Sequence, residues 1–138
     1  MRLSHIPLRV ATGAYILNTG ISKRSLAGEA AEGVHKMAAT AVPPVQGMSP
    51  ETFAKVLSGS EMALGVALLL PNVSARLSGL GLTAFSAGLL RMYWVTPGMR
   101  KPGDIRPTQE GQSIAKDVWL LGAGLTLLLD GLADAVKR

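Results

Sequence analysis

Four long stretches dominated by leucine, alanine, glycine and valine, at residues 6–22, 53–70, 74–95 and 114–134, constrain this chain more than anything else in it. Each is close to the roughly 17–25 residues a helix needs to cross the hydrocarbon core of a bilayer. The 138 residues suffice for one domain with a real core. An apolar share of 48% is ordinary for a soluble protein, but its distribution is not. The 14 Lys and Arg and the 9 Asp and Glu gather in a few places, aromatics make up only 4%, and 16 residues are glycine. Such a chain is expected to be all-α, built from packed membrane helices rather than a water-soluble bundle. Mean hydropathy is only +0.30 because none of the four segments is free of polar residues.

The expected architecture is a single membrane domain over residues 1–138, an antiparallel four-helix bundle with helices at about 6–28, 50–70, 74–95 and 110–134. The first segment is expected to be a retained helix rather than a signal peptide: Arg9 interrupts its apolar run, Lys23 and Arg24 follow it, and no clean small-x-small cleavage site sits at the expected place. At about 100° per residue, Arg9, Gly13, Ile16, Gly20 and Lys23 share one helix face and Asn18 points the opposite way. The glycines on that face allow another helix to approach closely. Residues 29–50 hold Glu29, Glu32, Lys36 and the Pro43, Pro44 pair. They read as a short amphipathic or re-entrant segment on the membrane surface, followed by an extended break.

The second long helix opens on "SPET", with Ser49 as N-cap, Pro50 in the first turn and Glu51 near the positive end of the helix dipole. "PNVSAR" allows only a tight turn, so the second and third long helices are expected to form an antiparallel hairpin. The third carries a small-residue strip of Gly81, Ala84 and Gly88 and ends with Arg91 beside Tyr93 and Trp94, residues suited to a membrane interface. After an exposed loop rich in Pro, Gly and charge, Thr108 is placed to cap the last helix. That helix has Lys116, Asp117 and Trp119 near its start, at the same interface, and Asp130 and Asp134 near its end.

The long connections and adjoining helix ends hold Lys23, Arg24, Lys36, Lys55, Arg91, Arg100, Lys101, Arg106 and Lys116, against Arg2, Arg9, Arg76, Lys137 and Arg138 opposite. The positive-inside bias turns the first group toward the cytoplasm, in a multi-pass protein of the cytoplasmic membrane. The net charge of +5 needs no nucleic acid: no basic cluster is interleaved with aromatics, and anionic head groups account for it. With no cysteine, disulfides, thiol catalysis and thiolate-bound metal are excluded. His5 and His35 read as surface residues, which leaves no metal site and no intrinsic redox centre.

The chain resembles the DoxX-like family of small four-helix membrane proteins. The matching pieces are "LRVATGAYILNTGISK", "SEMALGVALLLP", "ARLSGLGLTAFSAGLL" and "KDVWLLGAGLTLLL", in the family's order and covering most of residues 8–129. The ordered set of Gly20-x-x-Lys23, Glu61-x-x-x-Gly65 and a polar pair opening the last helix carries the specificity. The family takes its name from a subunit associated with quinol oxidase and thiosulfate:quinone oxidoreductase activities, and some bacterial members are linked to membrane oxidoreductase complexes. The resemblance implies a membrane subunit of such a complex, with membrane lipids and protein partners around it. Any redox chemistry would then belong to a partner or to a bound quinone or lipid rather than to this chain.

Glu61 is the polar residue on which the functional readings turn. A carboxylate inside a span costs about 3 kcal/mol on insertion scales, so it needs a partner or water. The favoured reading is a structural pair with Arg9 or Lys23, and the sharper one a ligand or proton site in a quinone-interacting subunit. Glu61, Gly65 and Leu68 share one face, which suits the glycine-lined, basic face of the first helix. Asn18 reads as a hydrogen-bonding contact across another interface, Arg91 as a residue reaching lipid phosphate, Asp117 as interfacial, and Asp117, Asp130 and Asp134 alike as solvated or lipid-facing rather than catalytic. The leading functional reading is a non-catalytic subunit that anchors or stabilises an oxidoreductase or other envelope complex. A small transporter or channel using Glu61, as a homo-oligomer, is the other class; small multidrug transporters carry their key glutamate in the first helix, where this chain has Arg9 and Asn18.

Overall fold

A computed structural model describes residues 1–137 and is helical, with no strand among the described residues. A single 3-10 turn, Leu3–His5, leads into α1, Ile6–Lys23. The helix expected to reach residue 28 stops at Lys23, because a turn over residues 24–27 and a left-handed Gly28 (φ 59°) redirect the chain. There α2, Gly28–Ala41, begins, an amphipathic helix that buries Ala31, Ala38, Ala39 and Ala41. Instead of an extended break, the two prolines start a 3-10 turn, Pro43–Gly47, since fixed proline φ values also suit that geometry.

The next helix, α3, spans Pro50–Leu69, and Ser49 Oγ accepts from the Thr52 amide at 3.2 Å as its cap. Ser74 caps α4, Ala75–Val95, through the Leu77 amide. The last helical run is broken near its start: α5 covers Gln112–Ala115, Lys116 and Asp117 turn, and α6 covers Val118–Val136. Thr108 caps the turn that precedes this run, its Oγ1 accepting from Gly111, rather than the helix itself.

The tight packing skips a helix. α1 lies antiparallel against α3, with Gly13 beside Leu68 and Gly20 beside Glu61 and Met62; α4 lies antiparallel against α6, with Gly79 beside Leu127 and Gly124 beside Thr83. By contrast α3 and α4, joined by residues 70–74, share few contacts, so the expected hairpin has the turn without the close packing. The reason is steric. The small residues that admit a neighbouring backbone face the non-sequential partner: a Cβ on Gly65 would stand 2.7 Å from the Leu17 backbone nitrogen. The two pairs meet on a small core of Ile16, Leu68, Leu82 and Leu127, one residue from each long helix.

Two helices, Pro50–Leu69 and the continuous run Gln112–Val136, are long and apolar enough to cross a membrane. The four spans anticipated from sequence are therefore two by this measure. α1 and α4 match them in length but give positions to Arg9, Lys23, Arg76, Arg91 and several hydroxyl side chains, which dilutes their hydropathy.

Candidate functional site

The last turn of α1 and the middle of α3 bring two opposite charges together. Lys23 Nζ donates to Glu61 Oε1 at 2.6 Å, and Thr19 Oγ1, one turn earlier on α1, stands 3.2 Å from Glu61 Oε2. One turn before Glu61, Ser58 Oγ donates to the Gly20 carbonyl at 2.7 Å. Gly20 makes this register possible, since a Cβ there would come within 2.8 Å of the Met62 amide nitrogen. Glu61 is thus fully enclosed, while Lys23 retains partial exposure.

Lys23, Glu61 and Leu89 border two cavities. One, of about 400 Å³, lies beneath α2 and is walled mainly by apolar side chains of α2, α3 and α4. The other, of about 280 Å³, lies toward α5 and α6 and adds Thr19, Ser113, Lys116 and Asp117. The first falls in the size range of small-molecule sites and combines apolar walls with convergent polar groups. α2 is held over it by His35, whose Nε2 donates to the Val45 carbonyl at 2.9 Å and whose ring meets Phe53 edge-on at 5.6 Å. At the C-terminus of α2, Arg91 Nε donates to the Ala41 carbonyl at 2.6 Å.

Arg9 belongs to a different construction. Its buried guanidinium spreads over the end of α3, Nε donating to the Leu68 carbonyl at 2.8 Å and Nη1 to Val73 at 3.0 Å. Nη2 reaches Ala67 at 2.9 Å and Leu70 at 2.8 Å. Four carbonyls at and beyond a helix C-terminus thereby find donors, and the cation meets the negative end of the helix dipole. Arg9 therefore stands apart from Glu61, because the antiparallel register sets it opposite the far end of α3. Asn18 is also outside the network, on the exposed face of α1 that points away from α3.

The interfacial set divides. Trp94 and Trp119 are exposed at the same end of the molecule, Trp94 with the Arg100 guanidinium 3.9 Å over its ring. Lys116 is exposed near the Tyr15 ring, at 6.0 Å. Tyr93 instead is buried and donates its hydroxyl to the Ile105 carbonyl at 2.5 Å, tying the 96–111 loop to α4. The Arg91 Nε reaches the C-terminus of α2 while the side chain stays exposed, and Asp117 is half-buried at the cavity that Lys23 and Glu61 also border. Among the glycines, Gly13, Gly20 and Gly65 lie at the α1/α3 contact. Gly81 meets only the tip of Leu64, and Gly88 faces open space.

Sequence reasoning missed Thr19, which a search for hydroxyls one turn from Lys23 finds, and the glycine set Gly79, Gly124 and Gly131 that seats α6 on α4. It also placed His5 on the surface. His5 is buried and its Nε2 lies 2.8 Å from Asp130 Oδ2, while Arg2 pairs with Asp130 and Asp134, clasping the start of the chain to the end of α6. Arg138 lies outside the described residues. Among the described residues no group of three or more His, Cys, Asp or Glu side chains is placed to hold a metal ion. Comparison with known protein families, with curated proteins and with solved structures finds no match to this chain.

Proposed function

We propose that this chain is a multi-pass protein of the cytoplasmic membrane whose four long helices all span the bilayer as an antiparallel bundle. In this reading it serves as a non-catalytic, DoxX-like subunit that anchors or stabilises a membrane oxidoreductase or other envelope complex. One observation carries the membrane part: the polarity of the helices is turned inside out. Arg9, Ser58, Glu61, Ser78 and Ser86 are buried, while Val10, Leu77, Leu80 and Leu129 are each at least half exposed. In water that arrangement discards most of the hydrophobic driving force, whereas in lipid it satisfies every side. The apolar stretch of the last helical run is only 11% buried within the protein, so it needs lipid or a partner to cover it. The subunit part is supported by the resemblance and by the exposed basic loop of residues 96–111, a surface on which a partner can rest.

The chain lacks cysteine, so single cysteines report topology without background. Asn72→Cys is expected to react with a membrane-impermeant maleimide in intact cells, and Lys101→Cys only after lysis. Release of the chain by alkaline carbonate would overturn the membrane reading. Purification with lipids retained is expected to bring down a stoichiometric partner, and a consistently solitary chain would overturn the subunit reading.

A further inference from the structure

We infer that the cavity beneath α2 binds a neutral lipophile whose head is a carbonyl, with Lys23 donating to it. The inference uses the membrane reading only to supply the ligand from lipid. Its walls are Val34, Met37, Phe53, Leu57, Leu89 and Met92, so the body of the ligand is apolar. The polar atoms then select the head. Glu61 is already paired with Lys23 and its side chain is only 1% exposed, so little of the carboxylate is open to a ligand. Lys23 is the opposite case. An ammonium carries three N–H donors, and among the described residues only Glu61 accepts from it. Its side chain is 30% exposed, and it borders the cavity. The unused capacity in this site is therefore for donating.

Charge narrows the class further. Glu29 borders the same cavity, so one ammonium faces two carboxylates. An anionic head meets net repulsion there, and a cationic head competes with Lys23 for Glu61. A pure hydrocarbon fills the walls but leaves the ammonium donors idle. A ketone or ester oxygen accepts from Lys23 without disturbing the pair. Gly33 on α2 borders the same cavity and has nothing within 4 Å of where its Cβ would be, so a larger side chain has room there. A larger side chain there changes the border of the cavity and leaves Lys23 and Glu61 themselves in place.

The test uses the full chain purified in micelles, with protein-free micelles as the blank. The probes are methyl nonyl ketone, undecane and undecanoate. The ketone is expected to bind about tenfold more tightly than undecane, the size of one charge-assisted hydrogen bond at its lower end. Undecanoate is expected to bind more weakly than the ketone. Gly33→Leu is expected to weaken ketone binding at least about tenfold while its unfolding temperature holds or rises, since leucine favours a helix over glycine. Should that variant fail to fold, Met37→Trp fills the same space from the next turn. Lys23→Arg keeps the donor and is expected to keep the preference for the ketone. Equal binding of ketone and undecane, tightest binding of undecanoate, or unaltered ketone binding by both filled variants would each overturn the inference. Micelle binding does not depend on how many helices span a bilayer, so it fails or holds separately from carbonate extraction and cysteine labelling.

Discussion

Lys23 and Glu61 form one ion pair but are unequally buried: the carboxylate side chain is 1% exposed and the lysine side chain 30%. The two ends of the contact therefore respond differently to losing their partner. Lysine has a long stem and a route to the cavity, whereas Glu61 is enclosed between α1 and α3.

Lys23→Met is accordingly expected to destabilise by about 3–5 kcal/mol, the cost of leaving a buried charge unpaired. Glu61→Gln is expected to cost only about 1–2 kcal/mol, because the freed ammonium re-solvates and the amide still hydrogen-bonds. Detergent unfolding of both single variants and the double variant measures the order and the coupling. Equal losses would mean that the lysine is as enclosed as the glutamate.

Arg9 offers a contrasting case, a buried cation satisfied by carbonyls rather than by a carboxylate. Arg9→Met is expected to fray the end of α3 and to destabilise by about 3 kcal/mol or more, since charge-assisted hydrogen bonds contribute about 1.5–3 kcal/mol each. Hydrogen exchange should accelerate at the Leu70 and Val73 amides and leave α6 unaffected. Arg9→Lys is expected to recover only part of the loss, because an ammonium cannot reproduce the planar fork.

Glycines on the same kind of helix should sort by what faces them. Gly65→Ala is expected to destabilise by about 2 kcal/mol through overpacking against the backbone of Leu17. Gly88→Ala meets open space and is expected to be neutral or to stabilise by up to about 1 kcal/mol from helix propensity. Unfolding of the two variants side by side checks this directly.

The 96–111 loop carries a pH expectation. The Arg106 amide and then its guanidinium hold the Asp104 carboxyl below its ordinary value. A carboxyl lowered on folding stabilises the loop above its unfolded value, and that contribution disappears as pH falls through the lowered one. Arg100 links the loop to the Trp94 ring, so Trp94 emission reports its order. The signal is expected to stay constant down to the ordinary aspartate range and to change only in stronger acid, a transition that Asp104→Asn removes.

Much of this was legible in the linear chain because helices are local. The 3.6-residue period placed Arg9, Gly13, Ile16 and Gly20 on one face, and all four are buried there. "SPET" announced its helix start through short-range capping chemistry, whereas the Ser74 cap of α4 became visible only in the structure. Small residues at Gly13, Gly20 and Gly65 marked surfaces able to accept another backbone. The amphipathic character of the segment after the first helix also showed, although its turn at Gly28 did not.

Register and partner choice are properties of two helices at once, and only the tertiary structure decided them. A one-turn shift between α1 and α3 would carry Lys23 away from Glu61 and Arg9 away from the α3 carbonyls, with no change in either helix's own pattern. The same holds for Gly79 and Gly124, which seat α6 on α4 across intervening sequence, and for His5, buried by an aspartate 125 residues away. Local sequence determined that helices form and which faces are small or charged. The cavity beneath α2 and the paired state of Glu61 arise from how those faces close on one another, since steric fit and charge pairing act between elements that sequence alone leaves apart.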